Sequence, residues 1–147
     1  MNERGYHPVD TPADIIRVLI VDDHEFVRAG LVAMLGGVDD LVVVGECADG
    51  ADVAGVTPLV RPDVVLMDVQ MPRTGGIAAA RELLSQQPGV RVVMLSGSVA
   101  PGVLADAAAA GAVGYLLKGD PNGLVSAIHA VAVGGTAWPH SSEAGVA

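Results

Sequence analysis

Short apolar runs alternate along this chain with longer stretches of mixed polarity. Five runs of four or five residues stand out: Arg17–Val21, Leu41–Gly45, Val64–Asp68, Arg91–Leu95 and Gly114–Leu117. They are rich in Val, Ile and Leu, and several lack the alternation of a half-exposed strand. They read as strands buried on both faces. Between them lie segments with helical spacing. The first, Glu25 to Leu35, carries Phe26, Ala29, Gly30 and Ala33 in register and stops at Gly36-Gly37. The second spans roughly Gly50 to Val60 and is expected to be interrupted or kinked near Pro58. The others are Ile77 to Gln87, the Ala-rich Pro101 to Ala110 closed by Gly111, and Pro121 to Val133, with Pro121 in its first turn and Gly134-Gly135 beyond its end. Five strands alternating with five helices predict right-handed crossovers and a parallel α/β sheet covered on both faces. No internal repeat is visible.

The chain has 147 residues, enough for one domain with a sizeable core. Hydrophobic residues make up 51% but aromatics only 3%, so the core must be aliphatic. The net charge of −9 disfavours nonspecific binding of nucleic acid, which needs Lys and Arg to neutralise phosphates. A single cysteine, Cys47, excludes an intramolecular disulfide and reads as inert packing. The opening residues have no apolar targeting core, and the low-charge stretch Val99–Leu117 is broken by Pro101, glycines and Asp106. A soluble cytoplasmic protein without membrane partners is expected. Residues 1–14 read as a flexible lead-in, 15–138 as the domain, and 139–147 as a tail or the start of a linker.

The candidate chemistry sits where the strands end. Asp22-Asp23 follows the first strand, Asp68 closes the third, Ser96 follows the fourth and Lys118 the fifth. Ligands of open α/β sheets bind outside the carboxyl ends of the strands. Adjacent carboxylates repel unless a cation lies between them, and Mg²⁺ (or Mn²⁺) takes oxygen ligands of this kind. Alone, the acidic pair reads equally as a helix N-cap. Taken with Asp68 it reads as a metal site. Asp68 can serve as a nucleophile, or it can be a turn residue before Pro72 and Gly75. Lys118 is a mobile charge suited to a phosphoryl oxygen, although a lone lysine is more often a solvated strand end. Ser96 can hydrogen-bond the same group, and Gly97 leaves open space beside it.

These residues carry a resemblance. Ile20-Val21-Asp22-Asp23-His24, Val64-Val65-Leu66-Met67-Asp68-Val69-Gln70-Met71-Pro72, Met94-Leu95-Ser96-Gly97 and Gly114-Tyr115-Leu116-Leu117-Lys118 together resemble the receiver domain of two-component response regulators, of the NarL/FixJ (LuxR-family) type. The match runs from about Ile16 to Trp138. It implies the flavodoxin-like, CheY-like sheet order 2-1-3-4-5, an order for which a receiver protein is a standard illustration. It also implies a phosphoacceptor, Asp68, served by a sensor histidine kinase. Asp22, Asp23, Asp68 and the backbone carbonyl of Gln70 would hold the metal. Ser96 and Lys118 would bind phosphoryl oxygens. Ser96 and Tyr115 would form the switch, Tyr115 swinging inward, and Gln70 and Ser98 would tune the phosphoryl lifetime.

Such proteins often carry a C-terminal helix-turn-helix DNA-binding domain, which this chain does not contain. They dimerise through the first and last helices or through the face of helix four, strand five and helix five. Ala127, Ala130 and Val131 are expected on such a surface. A receiver catalyses its own phosphotransfer and dephosphorylation but is not a conventional enzyme. Where the family has proline after the lysine, joined by a cis bond, this chain has Gly119. A cis bond there costs roughly 2.5–4 kcal/mol and is not assumed. His24 is typical of the subfamily's opening and is not expected to bind metal. A small-molecule phosphatase would need a second acid where Gln70 stands. A flavin module would need a phosphate-cradling loop after the first strand. The chain is read as a fragment of a transcription regulator or as a stand-alone receiver; the complete acidic set argues against an unphosphorylated pseudo-receiver that acts only by docking.

Overall fold

The structure, a computed structural model, describes residues 15–139. The expected lead-in, and all of the expected tail except Pro139, lie outside them. Five strands, β1 (Ile16–Val21), β2 (Leu41–Cys47), β3 (Val64–Asp68), β4 (Arg91–Ser96) and β5 (Gly114–Leu117), form one parallel sheet in the order β2-β1-β3-β4-β5. Five helices connect and follow them: α1 (Glu25–Gly36), α2 (Val53–Val60), α3 (Gly76–Gln86), α4 (Pro101–Ala109) and α5 (Pro121–Ala132). The expected fold class and strand order are both found.

The strand pattern explains the two-sided burial. Successive side chains of a strand point to opposite faces. Every residue of β3 is buried, and Val65 and Met67 join one core while Val64 and Leu66 join the other. The first core also takes Val53, Ala79, Ala80, Leu83 and Ala107, so α2, α3 and α4 cover that face. The second takes Leu35, Leu124, Ile128 and Val131, placing α1 and α5 on the other. Each fully buried aliphatic side chain contributes about 1.5–3 kcal/mol. Tyr115 is the only aromatic residue in either buried set, as the composition requires.

Four details depart from the sequence reading. β2 runs on to Cys47, because Glu46 and Cys47 pair with Ile20 and Val21 beyond a register shift. The second helix is not broken at Pro58. It starts as a 3₁₀ turn over Gly50–Asp52, passes through Pro58 as α2, and ends at Arg61, whose φ of 49° is left-handed. The periodic set Phe26, Ala29, Gly30 and Ala33 faces solvent, with Phe26 94% exposed. Leu31 and Leu35 carry the α1 core contact instead, helped by Met34. Both sides of this helix are apolar, so spacing alone did not decide which side is buried. Finally, Ala127 and Val131 are buried in the core and cannot form a dimer surface; of that trio, only Ala130 is partly exposed.

Candidate functional site

Parallel register brings the strand ends to one edge. Val21 pairs with Met67, Asp68 with Leu95, and Ser96 with Leu117, so the residues that follow or close these strands are neighbours. Asp22 is fully buried there and Asp68 is 3% exposed. The Asp22 amide donates to the Cys47 carbonyl at 3.0 Å, which fixes the end of β1. The His24 amide donates to Asp22 Oδ1 at 2.8 Å, and the Gln70 amide to Asp68 Oδ1 at 3.2 Å. Each aspartate thus has one oxygen held by a backbone donor two residues on, as in an Asx turn.

Their other oxygens face a lysine. Lys118 Nζ lies 2.9 Å from Asp22 Oδ2 and 3.2 Å from Asp68 Oδ2. Both oxygens are buried, and the ammonium is the charged group they face; Asp23 Oδ1, also buried, lies 3.2 Å from His24 Nδ1. Burial is the main reason the Asp68 carboxyl is raised above its ordinary value of 3.8. The Asp22 charge adds to this, and Lys118 and the Gln70 amide only partly offset it. Burial would lower the Lys118 ammonium, but Asp22 and Asp68 outweigh it and hold its value above 10.5.

One ligand atom from each of Asp22, Asp23, His24 and Asp68 fits within 4.8 Å of all the others. Three carboxylates that can each bring an oxygen within that spacing suit a hard divalent cation, which would add positive charge to that of Lys118. The acidic residues singled out from sequence fit such an ion.

The remaining predicted residues form a second chain of contacts. The Lys118 amide donates to the Ser96 carbonyl at 2.8 Å. Ser96 is half-buried, and its Oγ accepts from the Ser98 amide at 3.3 Å, leaving its own proton free to donate. Tyr115 is 1% exposed, and its hydroxyl donates to the Ser98 carbonyl at 2.9 Å. The tyrosine therefore already occupies the interior position expected to follow phosphorylation. Gln70 and Ser98 are exposed beside the site. No cis peptide occurs among the described residues. Gly119 turns the chain after Lys118 with a φ of 94°, a conformation open to glycine and with no atom near its missing Cβ.

Three supporting residues escaped sequence reading. Asp49, buried at 2%, accepts amides from Ala51, Arg73 and Thr74, each at 2.9 Å. It clamps the loop after β3 to the end of β2. Its desolvation is outweighed by those amides and by Arg73, so its carboxyl stays below the usual 3.8. The Asp49-Gly50 turn dipeptide was the available signal. Arg28 reaches across from α1, with Nη1 2.6 Å from the Asp22 carbonyl oxygen and Nε 3.1 Å from Glu46. Gly76 is buried directly against the Asp68 carbonyl, where a Cβ would overlap that oxygen.

No helix among the described residues is long and apolar enough to cross a membrane. Comparison with known proteins agrees with the geometry. The chain is 42% identical over 122 residues to the uncharacterized transcriptional regulatory protein YxjL of Bacillus subtilis, covering 82% of this chain and 56% of that one. It is 43% identical over 105 residues to the response regulator GacA of Pseudomonas aeruginosa, covering 71% of this chain and 49% of that protein. The chain thus spans about half the length of these relatives. A solved LuxR-family two-component response regulator from Aurantimonas superimposes with a TM-score of 0.83 at 31% identity, over 88% of this chain and 94% of that one. Residues 18–129 match the family model described as the response regulator receiver domain. The chain belongs to the response regulator receiver domain family, and it is the receiver domain of a two-component response regulator.

Proposed function

We propose that Asp68 accepts a phosphoryl group from the phosphohistidine of a sensor histidine kinase. The observation that carries this is the Asp68–Lys118–Asp22 contact, in which a buried carboxylate faces an ammonium and a second buried carboxylate. An Asp68 carboxylate oxygen forms the new O–P bond as the N–P bond of the donor breaks. The electron pair returns to the imidazole, which takes up a proton. Lys118 withdraws from the acidic pair to meet a phosphoryl oxygen, and the free Ser96 proton meets another.

Asp22, Asp23, Asp68 and the Gln70 carbonyl would hold Mg²⁺ or Mn²⁺. When bound, the ion supplies positive charge against the developing phosphoryl oxygens. The domain catalyses its own phosphotransfer and dephosphorylation at Asp68, so it acts as a switch rather than a conventional enzyme. Gln70 and Ser98, exposed beside Asp68, would set how readily water reaches the acyl phosphate.

The readout follows from Ser96, Ser98 and Tyr115. Phosphorylation would favour the arrangement in which Tyr115 is interior and bonded to the Ser98 carbonyl, shifting its population. In a longer protein, that bias would control a DNA-binding output domain and transcription, with the cytoplasm as the setting and homodimerisation as one route. A chain with a net charge of −9 is not itself a nonspecific DNA binder.

Intact mass after incubation with Mg²⁺ and acetyl phosphate tests the proposal. A single phosphoryl adduct on the natural chain and none on Asp68→Asn is expected. No adduct on either, with Mg²⁺ binding confirmed, would refute it.

A further inference from the structure

His24 is the residue at the site that phosphotransfer leaves without a task. It stands at the N-cap of α1, a position where a side chain commonly accepts a helix amide, yet it makes no such cap. Its ring turns the other way. Nδ1 lies 3.3 Å from Asp22 Oδ1 and 3.2 Å from Asp23 Oδ1, and it shares the 4.8 Å cluster with Asp68. Beside it, Asp23 Oδ1 is buried and makes no hydrogen bond, while Asp22 Oδ2 and Asp68 Oδ2 face Lys118. The imidazole itself is 65% exposed, so it can rotate without disturbing the core.

We infer that His24 is a fourth ligand, through Nδ1, for a late first-row divalent ion such as Zn²⁺ or Co²⁺ bound between Asp22, Asp23 and Asp68. The inference rests on the metal site of the preceding section and adds selectivity to it. Three carboxylates alone suit hard ions such as Mg²⁺, which bind oxygen and keep their waters. An imidazole nitrogen adds little for Mg²⁺ but favours Zn²⁺ and Co²⁺. Ligation needs the tautomer with the proton on Nε2, which faces away from the acids, and Nδ1 then offers its lone pair to the ion. Asp22 Oδ1 and Asp23 Oδ1, now beside the ring nitrogen, would become co-ligands. His24 therefore decides which ions compete with Mg²⁺ for the phosphoacceptor site.

The test titrates the whole chain with Co²⁺ alone and with Mg²⁺ alone. Co²⁺ is followed by its ligand-field spectrum and Mg²⁺ by calorimetry, for the natural chain, His24→Ala, His24→Gln and Asp22→Asn. Asp22→Asn separates this site from other histidines of the chain. Both His24 variants should weaken Co²⁺ binding at least about tenfold and change its spectrum, while Mg²⁺ affinity moves less than about twofold. Unchanged Co²⁺ affinity and spectrum in both His24 variants, with Mg²⁺ still bound, would overturn the inference and leave the acidic site standing. Failure of the natural chain to bind either ion would overturn both.

Discussion

Replacing Gly76 with alanine sets two effects of opposite sign against each other. Gly76 opens α3, where alanine is the better helix former by up to about 1 kcal/mol. On propensity alone, the substitution should stabilise. The surroundings say otherwise. A Cβ at Gly76 would overlap the carbonyl oxygen of Asp68 and lie 2.9 Å from Met67 Cγ. Met67 can adjust its side chain. The carbonyl belongs to the fully buried central strand β3 and can recede only by moving the strand end. Overpacking of this kind costs about 1–3 kcal/mol, and the helix gain offsets less than half of the upper value. At the upper value the net loss is about 2 kcal/mol, which for a chain of 147 residues corresponds to a fall in melting temperature of roughly 4–8 °C.

The same displacement reaches the chemistry. Clearing the overlap moves the Asp68 backbone by on the order of 1 Å, and such misplacement of a reacting group can cost about a hundredfold in rate. Gly75→Ala is the control. Its φ is −68°, and its Cβ would meet only the Val69 carbonyl oxygen at 3.2 Å. Thermal unfolding by circular dichroism, paired with the rate of adduct formation from acetyl phosphate, reads both effects. Gly76→Ala should melt lower than Gly75→Ala and phosphorylate far more slowly. A Gly76→Ala protein that melts at or above the natural chain would refute the packing argument.

Two further outcomes follow from the buried titratable groups. In metal-free protein, Asp68 keeps its proton in the fold at pH values where the unfolded chain, near the ordinary 3.8, has lost it. Its contribution to stability is therefore present below about pH 4 and is lost as pH rises through the folded value. Urea unfolding in chelator should show the natural chain losing stability relative to Asp68→Asn as pH rises from about 4, and a constant difference would contradict the raised carboxyl. Cys47 is pushed up to about 11, chiefly by burial, so at pH 8 roughly one thiol in a thousand is ionised. Iodoacetamide should leave Cys47 unmodified in native protein at pH 8 and alkylate it in denaturant; rapid labelling of the native chain would show that the end of β2 opens.

The acidic strand ends were legible from sequence because each is a local event. A polar residue that closes or directly follows a short apolar run is marked as a strand end by its immediate neighbours alone. Asp22, Asp68, Ser96 and Lys118 were all found this way. Asp49 and Arg28 were not, because their partners lie far away in sequence: Thr74 is 25 residues beyond Asp49, and Glu46 is 18 beyond Arg28. No local pattern marks an aspartate as the clamp of another element's loop.

By itself, the sequence determined the number and order of the elements, the parallel α/β class, the aliphatic core and the acid-rich edge. These follow from short-range periodicity and from the steric preferences of β-branched residues, which act within a few positions. Tertiary structure alone decided which face of α1 is buried, since two apolar faces satisfy the same spacing. It also decided that Ala127 and Val131 belong to the core, that Tyr115 lies inward against the Ser98 carbonyl, and that Lys118 bridges Asp22 and Asp68. Those outcomes depend on distances between residues brought together by the sheet, where packing density and the mutual repulsion of buried charges select among arrangements that local propensity leaves equal.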